Sequence, residues 1–293
     1  MTDVVLLDGG MGQELMKRTP KEPTPLWATQ AMIDHRGLVA SIHRDFFASG
    51  ATVATTNTYA VHHDRLEGTG QEERFSELLD LALDEAEDAR DAPHQRLAGS
   101  IGPLIASYRP DIHPELEQAV PLYAEIATHI APRVDLILCE TVASVDHAEA
   151  ILMGARQTNL PVWLSMTLDD ENGEHLRSGE HISELSHLTP DAWLANCSAP
   201  EAMQAGLNVF KTFGKPYGAY ANGFHEITND FLKPKPTVDA LTARPEVTPE
   251  WYADVVMGWV ESGATIVGGC CEISPAHIKQ IATRLTAAGH RIV

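Results

Sequence analysis

The stretch that decides the fold is Val4-Val5-Leu6-Leu7-Asp8-Gly9-Gly10, close to the N-terminus. An unbroken apolar run of this length is typical of a strand buried on both faces, and the polar residue and glycines after it predict a tight turn. Similar runs return along the whole chain. We predict further strands at residues 51–55, 97–100, 136–139, 162–166, 192–195, 217–220 and 264–267.

Helical patterns separate these strands. Leu38, Ile42 and Phe46 recur at helical spacing before Gly50, and a loop rich in Pro and Thr is predicted ahead of them. Further helices are predicted at residues 71–90, 116–131 and 249–262, from Ser144 onward, and after Pro200. Strands that alternate with helices pair in parallel through right-handed crossovers.

A count of eight such strands favours closure into a barrel. We therefore expect an α/β fold, a single (β/α)8 TIM barrel formed by residues 1–293, with extended loops at its C-terminal face. Polar and reactive residues at the strand ends support this, because barrel enzymes place their chemistry there. They are Asp8, Thr56, Ser100, Glu140, Cys197, Asn222 and Cys270. An open doubly wound sheet is the alternative, but Gly9-Gly10-Met11-Gly12 lacks dinucleotide-loop spacing.

The composition narrows the range of partners. The chain has a formal net charge of −20, from 21 Lys and Arg against 41 Asp and Glu, so nucleic acid and anionic membranes would be repelled. The charge is consistent with solubility or with attraction of a cationic substrate. We expect small-molecule substrates, no nucleic-acid or membrane partner, and an oligomer as a possibility.

The N-terminus and the cysteine usage predict a cytoplasmic protein. The segment MTDVVLLDGG lacks the basic flank and long apolar region of a signal peptide, and no run of 18 apolar residues exists. The four cysteines, two of them adjacent, do not resemble a disulfide framework. An irregular, proline-containing segment at residues 223–247 follows the seventh strand, and we predict that it forms a lid or rim over the site.

Cys270 and Cys271 follow the eighth strand and leave three possibilities, namely a metal site, a vicinal disulfide or buried core thiols. Neighbouring strand residues point to opposite faces, so both could bind one ion only if the backbone turns, which Gly268 and Gly269 would permit. Cys197 at another strand end adds a third thiol. Three thiolates suit zinc and leave one coordination position for a substrate, as in catalytic sites.

Several short segments carry a resemblance that runs nearly end to end. They are Asp8-Gly9-Gly10-Met11-Gly12, Thr56-Asn57-Thr58-Tyr59, Gly99-Ser100-Ile101-Gly102-Pro103, Glu140-Thr141, Asn196-Cys197-Ser198 and Gly268-Gly269-Cys270-Cys271. Together they resemble the zinc-dependent homocysteine S-methyltransferase family, which uses S-methylmethionine or betaine among its donors. The resemblance implies a barrel, one Zn²⁺ per chain, homocysteine as acceptor and methionine as product. The glycine segments are individually weak, and the separate cysteine with the later pair is the specific part.

The chemistry of the three thiols agrees with this resemblance. A metal-bound thiol is deprotonated, so a substrate thiolate in the open position could attack a methyl group on a cationic sulfur or nitrogen. We expect a methyltransferase whose metal ligands are Cys197, Cys270 and Cys271 and whose catalytic set also includes Glu140. By resemblance, Glu140 binds the acceptor ammonium, although a carboxylate on the rim is a simpler explanation.

The remaining site candidates follow from the same segments. Asp8, Gly9 and Gly10 are expected to contact the amino-acid portion of the acceptor, or else only to end a strand. Trp27 and Tyr59 are candidate walls for an onium methyl group, because aromatic faces attract such cations, or they are ordinary packing. Further substrate-binding candidates lie at other strand ends: Thr56, Asn57, Ser100, Asn196 and Asn222. Strand-end asparagines often only satisfy backbone groups.

The methyl donor is the open question. Residues 220–226 differ from the form expected of members that use S-methylmethionine, so betaine and dimethylsulfoniopropionate stay as alternatives to it. Two other functions are possible: a thiol methyltransferase with a corrinoid partner, and a non-catalytic zinc- or thiol-binding protein. The last requires a fourth protein ligand, for which the sequence offers no obvious candidate. Cys139 is expected to be a core thiol.

Overall fold

A curled sheet of parallel strands lies at the centre of the protein. The structure is a computed structural model that describes residues 2–19, 26–225, 227, 232 and 241–293, and for Trp27 the backbone alone. The strands are β1 (Asp3–Leu6), β2 (Val53–Thr55), β3 (Arg96–Ile101), β4 (Leu136–Val142), β5 (Val162–Met166), β6 (Ala192–Asn196), β7 (Tyr217–Tyr220), β8 (Ile266–Val267) and β9 (Arg291–Ile292). Neighbours follow the order β2-β3-β4-β5-β6-β7-β8-β1-β9, and all pairs are parallel.

Helices connect the strands. They are α1 (Met11–Arg18), α2 (Trp27–Asp34), α3 (Leu38–Ala48), α4 (His63–Leu66), α5 (Phe75–Ala89), α6 (Leu116–Ile130), α7 (Val145–Ala155), α8 (Pro200–Phe210), α9 (Pro249–Glu261) and α10 (Pro275–Ala287). The predicted helices correspond to α3 and α5–α9. The segment ahead of α3 was predicted to be a loop, and this prediction is wrong where α1 and α2 form. Each has only eight residues, too few for a clear apolar period.

Two hydrophobic clusters pack against the sheet. The larger one joins alternate strand residues, such as Leu164 and Ala195, to helix residues such as Phe46 and Ile126. The smaller one brings the first eight strands together on the other face. Its members are Leu7, Val53, Ala98, Leu136, Leu138, Trp163, Ala192, Leu194, Tyr220 and Ile266. Strands buried on both faces account for the continuous apolar runs in the sequence.

The seam between β1 and β2 differs from the prediction. There, Leu7 and Val53 form an isolated parallel bridge, flanked by backbone hydrogen bonds of 2.7 and 3.1 Å. Beside it, β9 pairs with β1, and Thr52 Oγ1 donates to the Val293 carbonyl oxygen (2.7 Å). The α/β class and the barrel-like parallel sheet are confirmed, but the sheet is not a closed eight-stranded ladder. Because β2 has only three residues, its contact with β1 is short, and the unpredicted β9 lies beside this contact.

The predicted lid lies mostly outside the described residues. At its two ends, Phe224 and Ala243 form an antiparallel bridge, and Arg244 N donates to Gly223 O (2.8 Å). Leu241 lines the cavity described below, and Ile227 and Leu232 pack near its cysteines. In the described parts of the chain, no helix combines the length and apolar character needed to cross a bilayer.

Candidate metal and substrate site

A cavity of about 150 Å³ opens at the carboxyl ends of the strands. It is lined by most of the predicted site residues: Asp8, Gly9, Gly10, Thr56, Asn57, Tyr59, Glu140, Cys197, Cys270 and Cys271. Ser100, Asn196 and Asn222 do not line it. The prediction for the side chain of Trp27 lies outside the described residues, although its neighbour Ala28 is on the cavity wall.

The three predicted metal ligands come together. The sulfur atoms of Cys197, Cys270 and Cys271 all lie within 4.8 Å of one another. Cys197 and Cys270 are joined as a disulfide with a Cα–Cα distance of 5.8 Å, and Cys271 is a free thiol. The vicinal disulfide, one of the alternatives open from the sequence, is therefore not formed.

Backbone geometry brings the adjacent cysteines to one side. Cys197 has a left-handed backbone (φ 49°), and so does Glu272, directly after the pair (φ 66°). Gly268 and Gly269 have no positive φ and serve close packing instead. A Cβ would lie 2.5 Å from Leu7 Cβ at Gly268 and 2.1 Å from Ile273 Cγ2 at Gly269. The turn we assigned to the two glycines is instead made at residues 270–273, where Ile273 N donates to Cys270 O (3.2 Å) and Cys271 and Glu272 are the central residues.

The cysteine cluster fits a soft metal ion. A tetrahedral zinc site with Zn–S bonds of about 2.3 Å holds its sulfurs about 3.8 Å apart. All three sulfurs lie within 4.8 Å of one another, but those of Cys197 and Cys270 are bonded and must separate before both can bind a metal. Before all three sulfurs could bind one metal ion, the Cys197–Cys270 disulfide would have to be reduced by two electrons. Burial raises the pKa of Cys271 to about 12, partly opposed by the Gln13 amide, so without a metal this side chain is a thiol at neutral pH.

Glu140 is held by two hydroxyl groups from other strands. Ser100 Oγ donates to one carboxylate oxygen, and Tyr220 Oη donates to the other (3.1 Å). Burial raises the pKa of Glu140 to about 7, and these two hydrogen bonds oppose the rise. A carboxyl with a pKa this close to neutrality ionises fully when a cation binds beside it. Ser100 therefore positions Glu140 instead of lining the cavity.

Asp8 is a second buried carboxyl in the same cavity. Its Oδ2 accepts from Thr55 N (2.8 Å) and its Oδ1 accepts from Thr55 Oγ1 (2.9 Å). Burial raises the pKa of Asp8 to about 7, with Thr55 opposing and the charge of Glu140 adding to the rise. His43 Nδ1 lies 3.9 Å from Oδ2, but burial lowers the pKa of His43 to about 4, so this imidazole is neutral.

Two predicted asparagines have local structural roles. Asn196 Oδ1 accepts from Thr141 N (2.9 Å), and its Nδ2 donates to Thr141 Oγ1 (3.0 Å), which fixes the left-handed turn after Glu140 (Thr141 φ 59°). Asn222 Oδ1 accepts from Phe224 N (3.1 Å) and closes a turn. Both fit the simpler explanation, in which strand-end asparagines satisfy backbone groups.

The other predicted residues on the wall are already hydrogen-bonded within the protein. Thr56 Oγ1 bonds Thr58 Oγ1 (2.8 Å), and Asn57 Nδ2 donates to Ala28 O (3.3 Å). Tyr59 Oη bonds Ser107 Oγ (2.7 Å), which leaves the ring on the cavity wall.

The site residues missed from the sequence include Gln13, Thr55, Tyr108 and Tyr220. Tyr220 and Thr55 are strand residues whose inward direction follows from alternation along β7 and β2. Tyr108 packs against Cys197 in a loop and has a left-handed backbone (φ 61°), for which the sequence holds no signal.

The two buried carboxyls predict a pH dependence of stability. From about pH 4 to about pH 7, the unfolded chain has released the Asp8 proton while the folded, metal-free protein retains it, so the free energy of unfolding falls as pH rises. For a pKa shift of about 3 units, the fall is at most about 4 kcal/mol. Between pH 5.5 and 8, we expect the free energy of unfolding, measured with urea, to fall less in Asp8→Asn than in the wild-type protein. The exposed Asp254→Asn serves as control, and equal losses in all three proteins would contradict the prediction.

Comparison with known proteins places this geometry in a family. The family model described as homocysteine S-methyltransferase matches residues 5–285. Homocysteine S-methyltransferase of Escherichia coli is 26% identical over 96% of this chain and 95% of that protein. Homocysteine S-methyltransferase YbgG of Bacillus subtilis is 24% identical over 95% of this chain and 93% of that protein.

Solved structures give the same result for the fold. The homocysteine methyltransferase MmuM from Escherichia coli aligns in its metallated form with a TM-score of 0.81 and 24% identity, over 97% of this chain and 96% of that one. Its oxidized form aligns with a TM-score of 0.79 and 25% identity, with the same coverage. Because the family model spans nearly the whole chain, this protein is a member of the homocysteine S-methyltransferase family.

Proposed function

We propose that the protein transfers a methyl group from an onium donor, S-methylmethionine first among the candidates, to the thiol of L-homocysteine, giving methionine. One observation carries the proposal: three cysteine sulfurs within 4.8 Å of one another share a cavity with two buried carboxyls. Such a cavity offers a sulfur site and an ammonium site to the same small molecule. Membership of the family supports the same acceptor.

We propose one Zn²⁺ per chain, held by Cys197, Cys270 and Cys271. The soft donor set supports zinc, and the metallated form of the similar Escherichia coli protein supports a metal in this fold. When bound, zinc supplies an open coordination position and lowers the pKa of a thiol that enters it. Among the described residues, the metal-ligand group contains these three cysteines alone, which argues against a closed structural site.

Glu140 and Asp8 bind and orient the acceptor. An ammonium group beside two carboxyls with pKa values near 7 favours their ionised forms and forms charge-assisted hydrogen bonds. Ser100 and Tyr220 hold the Glu140 carboxylate in one orientation, and Thr55 does the same for Asp8. The acceptor thiol is thereby directed toward the cysteine cluster.

The donor binds at the aromatic part of the cavity wall. Tyr59 and Tyr108 line the cavity, and their aromatic rings attract an onium group; we keep Trp27 as a further candidate. The acceptor thiol releases its proton, and its sulfur lone pair forms the new S–CH3 bond while the donor's S–CH3 or N–CH3 bond breaks. The bonding pair stays with the leaving group, which departs neutral at the former cationic centre.

We further propose that the Leu7–Val53 bridge closes the curled sheet into a barrel, although the strands there do not form a continuous ladder. We also propose that residues 1–293 form one domain. The β1–β2 bridge and the single cluster that joins the first eight strands support closure. A reducing cytoplasm would keep the three cysteines as thiols, and small molecules would be the partners.

The test is a metal assay combined with a donor panel. The reduced protein is expected to hold one zinc per chain and to form methionine from homocysteine with S-methylmethionine. Betaine and dimethylsulfoniopropionate are assayed in parallel, and faster turnover with either would reassign the donor. If the zinc-loaded protein forms no methionine with any donor, the acceptor assignment is wrong.

A further inference from the structure

Gln13 is a buried polar residue that the proposed function does not use. Its side chain lines the cavity together with the three cysteines, and the residue is 4% exposed. Its Nε2 has no hydrogen-bond partner among the described residues. Buried amide groups in folded proteins are nearly always hydrogen-bonded, so this donor requires an explanation.

Helix capping does not explain Gln13. It occupies the third position of α1 after the N-cap Gly10, where a glutamine often accepts from the N-cap backbone N–H. Here that N–H donates to Ile273 O (2.8 Å), and α1 has no side-chain cap. The Gln13 side chain is therefore free to serve another partner.

The amide of Gln13 lies against the cysteine loop. A Cβ added at Gly10 would lie 2.9 Å from Gln13 Oε1, 2.9 Å from Cys270 O and 3.1 Å from Glu272 N. The missing side chain at Gly10 leaves room for the amide to approach the backbone on both sides of Cys271.

Other hydrogen-bond donors on the cavity wall are already in use. Thr55 Oγ1 donates to Asp8, Asn57 Nδ2 donates to Ala28 O, and Tyr220 Oη donates to Glu140. Of the buried side-chain atoms without a partner in the described chain, Gln13 Nε2 alone belongs to a residue that lines this cavity. This donor is thus available to an acceptor that forms only when the cysteines hold a metal.

We propose that Gln13 is a positioning residue of the cysteine site and that its Nε2–H donates to Cys271 Sγ when the three cysteines hold a metal. The inference rests on the proposed three-thiolate metal site. A sulfur that ligates a metal carries negative charge and accepts hydrogen bonds strongly. The Gln13 amide is a buried donor on the same cavity wall and has no other partner among the described residues. A hydrogen bond to a ligand sulfur orients it and reduces its electron donation to the metal.

The test uses reduced protein loaded with Co²⁺ in place of Zn²⁺. Gln13→Leu removes the amide and keeps most of the volume, Gln13→Ala is a second variant, and Gln204→Leu on α8 is the matched control. Competition with a chelator is expected to show about tenfold to hundredfold weaker Co²⁺ and Zn²⁺ binding in both Gln13 variants. The sulfur-to-cobalt charge-transfer band should move to longer wavelength, since the sulfur becomes the better electron donor.

The outcomes separate this inference from the metal site itself. If both Gln13 variants keep the wild-type metal affinity and band position, the role of Gln13 is overturned while the metal site stands. If wild-type protein binds neither metal, the site and the inference fail together. Thermal unfolding of the metal-free proteins is measured alongside. An affinity loss without a band shift, in variants whose unfolding temperature also falls, would indicate a packing role and would overturn the proposal.

Discussion

Replacing Cys271 with alanine is expected to remove bound zinc and to lower methyl transfer by at least about 10³-fold. Two ligands would be left for the metal, which is too few for a stable site. Without the metal, an acceptor thiol with a pKa of about 8.5 is ionised to only about 3% at pH 7. The loss of a fixed position for the acceptor sulfur accounts for the rest of the decrease in methyl transfer. Zinc content per chain and methionine formation from homocysteine measure both effects.

Cys139→Ala is the matched control for this prediction. Cys139 is fully buried, packs in the larger hydrophobic cluster between sheet and helices, and immediately precedes Glu140. Its loss removes a thiol close to the site without removing a proposed ligand, so zinc content should stay at the wild-type level. Cys197→Ala should behave like Cys271→Ala. Stoichiometric zinc in both of these variants would rule out the three-thiolate site.

Glu140→Gln is expected to lower kcat/KM for homocysteine by about 10- to 100-fold, mainly through KM. The substitution removes the charge that pairs with the acceptor ammonium, and a hydrogen bond to a charged group contributes about 1.5–3 kcal/mol. Glutamine keeps the size of the side chain but has a single acceptor oxygen. It can therefore accept from Ser100 or from Tyr220 in the present geometry, but not from both.

Glu149→Gln controls for the loss of one negative charge outside the cavity. Glu149 lies on α7, is partly exposed and pairs with His187 (2.8 Å), outside the cavity. Steady-state kinetics with homocysteine varied at saturating donor should show wild-type KM in this variant. A Glu140→Gln enzyme with unchanged KM would show that the acceptor ammonium binds elsewhere.

The strands were predictable because burial on both faces leaves a local pattern in the sequence. Six of them, β1 and β3 to β7, begin within a residue of the predicted starts, since strands buried on both faces are continuous apolar runs. The seam was not predictable, because β9 is two residues long and pairs with β1 from the other end of the chain. The helices α1 and α2 were missed for a related reason: short helices are held by tertiary packing, which no local pattern reveals.

The site was predictable where a residue follows a strand and has a distinctive chemistry. Cys197 and the later cysteine pair meet as expected, because parallel strands bring their carboxyl ends to one edge. The partners of these groups were harder to predict. Tyr220 is 80 residues from Glu140 in the chain, and only the curl of the sheet brings them together. Ser100 and Asn196 lie in the predicted region, but their hydrogen bonds to Glu140 and Thr141 were not predicted, since alternation does not show which neighbour a hydroxyl or amide will bond.

The left-handed backbone at Cys197 has an evolutionary consequence. At φ 49°, a residue with a Cβ is less stable than glycine by about 1 kcal/mol. Glycine would relax this strand end but has no sulfur. In a lineage that no longer needed the reaction, selection for stability alone would favour glycine here. A cysteine retained at position 197 would then be a record of continued selection for chemistry over stability.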